Sequence, residues 1–212
     1  MDTTKVSAVA GNRAGGESAV PPIFRKLLID NAHTHTKLGQ IQLLVNLESP
    51  NVTREQYLSV LKKMYGLYAV LEPKLEKAIN WGEIGIDFNQ RSRLVWLERD
   101  LQKFGISGES LSEIPLCSDV IELNTLSEVL GSMAVVEGSS AGATATAQKI
   151  ANSNLKLGPE NGAAFFNNYG EKKQEMRAAF AKVIAVQNIN ENEFLSGGKK
   201  AFDLFYTWLS SE

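Results

Sequence analysis

Cysteine and histidine are nearly missing from this 212-residue chain, which has one cysteine, Cys117, and two histidines, His33 and His35. A lone cysteine excludes an internal disulfide framework and a cysteine-based zinc site. It fits a reducing, cytoplasmic compartment, with Cys117 read as a buried structural thiol. An excess of charge of either sign is missing too: 22 basic residues stand against 24 acidic ones, a formal net charge of −2. That balance gives no footprint for nucleic acid, so any anion site has to be a local patch. No apolar run approaches membrane-spanning length, and the first twenty residues, with Gly11, Gly15 and Gly16 among scattered Ser and Thr, lack the apolar stretch of a signal peptide. The expectation is a soluble protein without a membrane partner: a disordered arm over residues 1–22, closed by Pro21-Pro22, and one folded domain over 23–212, long enough to bury its own core.

Sustained alternation of apolar and polar residues is also absent, as is any self-similar repeat, and this excludes sheet and solenoid architectures. What is present is helical spacing. Tyr57, Leu61, Met64, Tyr68, Leu71, Leu75 and Ile79 form one stripe, opened by the capping-box pattern Thr53-Arg54-Glu55-Gln56. Leu94, Leu97, Leu101 and Phe104 form a second, ended by Gly105. Thr125-Leu126-Ser127-Glu128 is another capping box, opening a helix that runs to about Asn152. Further amphipathic runs cover about Glu171 to Val186 and about Asn192 to Leu209. In the last of these, Gly197-Gly198 predicts a break or kink. The fold class is all-α.

Within the run from Thr125, Gly138-Ser139-Ser140-Ala141-Gly142 strips one helix face of side chains, and the small residues Ala143 to Ala147 extend it. Each glycine costs roughly 1 kcal/mol of helix stability relative to alanine, so something has to approach that backbone closely. Either another helix or a flat ligand can fill it. In the first helix, Phe24, Leu28, Asn31, His35 and Leu38 follow at three and four residues, a stripe that turns His35 inward and leaves His33 on the other side. An inward imidazole is either a hydrogen-bonded core histidine or a metal ligand. Lys173 and Arg177 lie one turn apart, close enough to hold one anion together.

Taken in order, five segments resemble the heme oxygenase family, particularly its bacterial biliverdin-forming members, some of which are encoded beside phytochromes. They are Leu27 through His35-Thr36-Lys37-Leu38, then Met64-Tyr65-Gly66-Leu67-Tyr68-Ala69-Val70-Leu71-Glu72, then Arg93 through Asp100-Leu101. Leu130-Gly131 through Val136-Glu137-Gly138-Ser139-Ser140-Ala141-Gly142 and Phe165-Phe166-Asn167-Asn168-Tyr169-Gly170 complete the set. The resemblance implies a single-domain helical fold with heme between a proximal and a distal helix. It makes His35 the axial iron ligand, with His33 the lesser candidate, and places Gly138, Ser139 and Gly142 on the distal helix where the chemistry occurs. Lys173 and Arg177 would hold the heme propionates, with Arg25 and Lys26 contributing from the first helix. Heme b would be substrate and cofactor, opened with O2 and electrons to biliverdin, carbon monoxide and ferrous iron. The implied partners are a ferredoxin or flavin reductase as electron donor and a phytochrome as acceptor of the product; the implied state is a monomer.

Three positions depart from the family pattern. Ala143 replaces a second glycine, Ser139 stands where animal enzymes place an aspartate, and Met133-Ala134 replace an aromatic. A heme-binding or heme-sensing protein without turnover is the alternative these departures leave open. A non-heme di-iron protein needs several facing histidines and carboxylates. A plain helical interaction protein would use Gly138 and Gly142 only to admit another helix.

Overall fold

The computed structural model describes residues 21–211, so the expected N-terminal arm lies almost wholly outside the described residues. Among those described, every regular element is helical. The elements are α1 (Pro22–Asp30), α2 (Ala32–Gly39), α3 (Gln42–Val45), α4 (Arg54–Ala78), α5 (Leu94–Lys103), α6 (Glu109–Ser112), α7 (Leu126–Asn152), α8 (Ala164–Asn167), α9 (Lys173–Val186) and α10 (Glu191–Ser210), with 3-10 turns between some of them. The longest, α4 and α7, begin at the caps read from the sequence. At α4 the Gln56 amide N–H reaches Thr53 Oγ1 at 3.2 Å and the Thr53 N–H reaches Gln56 Oε1 at 2.9 Å, a complete reciprocal box. At α7 only half the box forms. Thr125 Oγ1 accepts from the Glu128 N–H at 3.2 Å, but the Glu128 carboxylate takes the Asn124 N–H instead, at 2.8 Å.

The stripe on α4 is the spine of the core: Tyr57, Leu61, Met64, Tyr68, Leu71 and Leu75 are all buried. α5 packs against it through Leu97 and Leu101 and ends at Gly105, whose φ of 83° only glycine adopts freely. The start of α5 is held from a distance. The buried Glu72 carboxylate of α4 accepts the Arg93 N–H, the Leu94 N–H at 3.3 Å and the Ser92 hydroxyl at 2.8 Å. Burial raises the Glu72 pKa above the ordinary glutamate value, although these donors work against it. Asp100 does the same for α8, accepting the Ala164 and Phe165 N–H groups, each at 2.8 Å.

α7 and α10 cross in very close contact. A Cβ added at Gly131 would stand 1.9 Å from the Phe194 carbonyl oxygen, and one at Gly197 would stand 2.0 Å from the Glu128 carbonyl oxygen. A Cβ at Gly198 would meet Leu27 Cδ1 at 2.3 Å. The break expected at Gly197-Gly198 does not occur; α10 runs unbroken through both. The glycines admit α7 and α1 against the α10 backbone, and burial of Phe194, Ala201, Phe202, Leu204 and Phe205 along the same helix offsets their low helix propensity.

The single first helix is also corrected. It is two helices joined at Asn31, whose φ of −107° and ψ of 15° leave the helical region. Its side-chain amide instead donates to the Leu27 carbonyl at 2.9 Å. Phe24, Asn31 and Leu38 of the expected stripe still face the core, but the buried residue of α1 is Leu27, and Leu28 is 51 % exposed.

Candidate active site

The second half of α7 shows two contrasting faces. Gly138, Ser139, Gly142 and Ala145 are exposed on one, whereas Val136, Glu137, Ser140, Ala147 and Ile150 are buried on the other. A Cβ built at Gly138 or Gly142 would meet no described atom within 4 Å. Of the two occupants the sequence allows, another helix is thus not found there among the described residues. Ser139 turns its hydroxyl back to the Val136 carbonyl at 2.7 Å. The Tyr68 phenol beside it is pushed up to about 12, chiefly by burial.

Behind that open face lies a buried polar cluster. Arg91 and Arg93, 3 % and 1 % exposed, both reach Glu137, at 3.1 and 3.5 Å. The Tyr169 hydroxyl donates to the same Glu137 oxygen at 2.6 Å. Arg93 also donates to Ser140 Oγ at 3.2 Å, and Ser140 in turn donates to Asn168 Oδ1 at 3.0 Å. The Arg93 guanidinium lies over the rings of Tyr169 and Trp96, 4.7 and 5.1 Å from their centroids. Burial works against its charge, but Glu137, Tyr169 and Tyr68 more than offset this and raise its pKa. Opposed charges at close range are how a buried guanidinium survives, and removing one partner of such a group costs about 3–5 kcal/mol.

α2 leans on α10, and its His35 is exposed rather than buried in the core, although Asn31 and Leu38 on the same stripe face inward. The imidazole stands edge-on to Phe202 of α10, with ring centroids 6.2 Å apart. Among the described residues its side chain makes no hydrogen bond, so the reading of a satisfied core histidine does not hold. His33 is exposed on the same short helix. Arg25 is exposed on α1, and Lys26 is paired with Glu191 of α10. On α9, Lys173 is half-buried and hydrogen-bonded to Thr144 Oγ1 of α7, and Arg177 is exposed. Burial, then Arg177 and Arg93, hold the Lys173 ammonium below the ordinary lysine value.

The sequence profile of heme oxygenases matches residues 24–211, nearly the whole chain. The chain belongs to the heme oxygenase family. Two solved structures share the fold. Heme oxygenase from Neisseria meningitidis, determined with NO and CO bound, is 19 % identical with a TM-score of 0.68, over 88 % of this chain and 89 % of that one. Heme oxygenase from Leptospira interrogans is 14 % identical with a TM-score of 0.67, over 89 % of this chain and 98 % of that one. Among curated proteins, none matches significantly. The protein is accordingly an oxidoreductase of the all-α heme oxygenase class, and no helix among the described residues is long and apolar enough to cross a membrane.

The residues present fit the family's substrate. A flat ring needs a helix face without side chains, which Gly138 and Gly142 leave, and an imidazole free of other partners, which His35 has. A carboxylate arriving beside Lys173 would relieve the crowding of positive charge that depresses its pKa. A di-iron site would need at least three His, Cys, Asp or Glu side chains placed as ligands, and no such group occurs among the described residues. The sequence reading missed the cluster behind α7. In a sequence Arg91, Arg93 and Glu137 look like solvated charges, and their burial depends on pairing across α5, α7 and the segment after α8.

Proposed function

We propose that the chain binds heme between α2 and α7 and cleaves it, with O2 and electrons, to biliverdin, carbon monoxide and ferrous iron. The observation that carries the reading is the open glycine face of α7, where Gly138 and Gly142 give up helix stability and no described residue fills the gap. Bound heme supplies the redox-active iron and, at the same time, the meso carbon that is oxidised.

The protein's own groups do the rest. His35 offers an imidazole whose ring is braced edge-on by Phe202 and to which no carboxylate among the described residues is hydrogen-bonded, so its donor strength stays moderate. Gly138 and Gly142 bring backbone close to the upper face and leave no room there for a side-chain acid. Lys173 and Arg177 supply two cations one turn apart for the propionates, a pairing that fixes how the ring is rotated in its plane. Ser139 is the exposed hydroxyl between the two glycines, fit to hold a proton-carrying water. Electrons come from a ferredoxin-type or flavin-based donor, and a phytochrome is a fitting acceptor for the product.

The test is a hemin titration followed by reductant, catalase and air, recorded as visible spectra, with His35→Ala alongside. A one-to-one Soret complex that decays to a broad red biliverdin band, impaired in the variant, is the expected result. A stable complex without ring opening would identify a heme carrier or sensor instead. No complex would refute the reading.

A further inference from the structure

Glu137, Ser140 and Thr144 succeed one another at three and four residues and so share a face of α7. At 100° per residue that face lies roughly 150° round from Gly138 and Gly142. Each of the three is held by the segment that follows α8: Tyr169 donates to Glu137 at 2.6 Å, Asn168 accepts from Ser140 at 3.0 Å, and Lys173 reaches Thr144. Arg93 ties the first two together and is covered by the Tyr169 ring. The grip is specific in two further ways. Asn168 adopts a φ of 53° with a ψ of −126°, a positive-φ conformation outside the left-handed helical region that costs a non-glycine residue on the order of 1–3 kcal/mol and persists only where surroundings fix it. Arg93 Nε and Nη1 and Glu137 Oε2 are buried without a hydrogen-bond partner, an unsatisfied state that packing for stability alone would avoid.

We propose that Asn168 and Tyr169 are positioning residues of the reaction. By gripping α7 from behind at Ser140 and Glu137 they set where the Gly138 and Gly142 backbone stands over the ring, and so which meso carbon is oxidised. This rests on the heme-cleaving reading above. Neither residue touches the substrate face, so both act through the helix.

Asn168→Gly removes the hydrogen bond to Ser140 while easing the backbone at a positive φ, so it spares the fold. Tyr169→Phe removes the hydroxyl on Glu137 and keeps the ring on Arg93. Each is compared with the parent in four measurements: melting temperature, amide exchange across residues 138–146 without hemin, the pH midpoint of the visible spectrum of the ferric hemin complex, and the ratio of biliverdin isomers. The expected result is several-fold faster exchange in that window, a moved midpoint and a several-fold change in isomer ratio in both variants, with Asn168→Asp restoring the parent pattern. Unchanged midpoint and isomer ratio in both variants, whether or not the melting temperature falls, would overturn the positioning role alone. A parent that takes up no hemin would overturn this inference and the proposed function together.

Discussion

At Gly131, in the first half of α7, an added Cβ would lie 1.9 Å from the Phe194 carbonyl oxygen, whereas at Gly138 and Gly142, in the second half, it would meet no described atom within 4 Å. The same residue, on the same helix, serves two opposite ends. In the first half glycine lets α10 in, and the contact is reciprocal, since Gly197 of α10 admits Glu128 of α7. There the loss of helix propensity is offset inside the protein by buried apolar area. In the second half it is not offset by any described contact, as the proposed heme site requires. Under the proposed function the contrast separates glycines that serve the fold from glycines that serve the substrate, a distinction that composition alone does not make.

The strongest attack on this contrast is Gly142→Leu, which fills the open face. Ring opening should be lost while hemin still binds, and spectra after addition of reductant and air read both; biliverdin formed at the parent's rate would refute the close-contact role. Gly131→Ala should do the opposite, leaving nothing at the open face altered but lowering unfolding free energy by about 3 kcal/mol in denaturant titrations, because the neighbouring backbone cannot give way. Asp100 bears on the second half alone, through α8. Burial raises its pKa from 3.8 to about 6, so between those values the native state holds a proton that the unfolded chain has lost. Its contribution to stability therefore falls as pH rises through that window. The stability of the parent minus that of Asp100→Asn should drop by about 2 kcal/mol from pH 4 to pH 6 and then level off. Arg177→Glu should weaken hemin binding about tenfold, close to 1.4 kcal/mol, without changing the melting temperature of the hemin-free protein. The gentlest test is Gly138→Ala, expected to raise stability by up to about 1 kcal/mol; a loss comparable to that of Gly131→Ala would erase the distinction between the two halves.

Much of this molecule was legible in its sequence where the signal is local. The stripe from Tyr57 to Leu75, the cap at Thr53 and the stop at Gly105 stand where their residue types put them, because helix periodicity and capping act within a few residues. The bare face at Gly138 and Gly142 was legible for the same reason. The errors fall where a distant contact decides. Gly197-Gly198 reads as a break until the approach of Glu128 and Leu27 is known. The stripe through His35 assumes one uniformly buried face, yet of its members Phe24, Asn31 and Leu38 meet the core while Leu28 and His35 are exposed. Arg93 and Glu137 carry no local mark of burial at all, since each is buried only because the other is.

The Glu72 carboxylate has a consequence for how the chain comes together. The first turn of α5 finds its main hydrogen-bond acceptor on α4, some twenty positions earlier in sequence, while locally Ser92 Oγ takes only the Val95 N–H, at 3.4 Å. A ten-residue helix with only one long local capping bond is too short to hold itself in water. α5 is therefore not an autonomous unit but one whose order is borrowed. A peptide covering residues 92–104 should show little helicity by circular dichroism, and in the intact chain α5 should gain its protection from exchange together with α4.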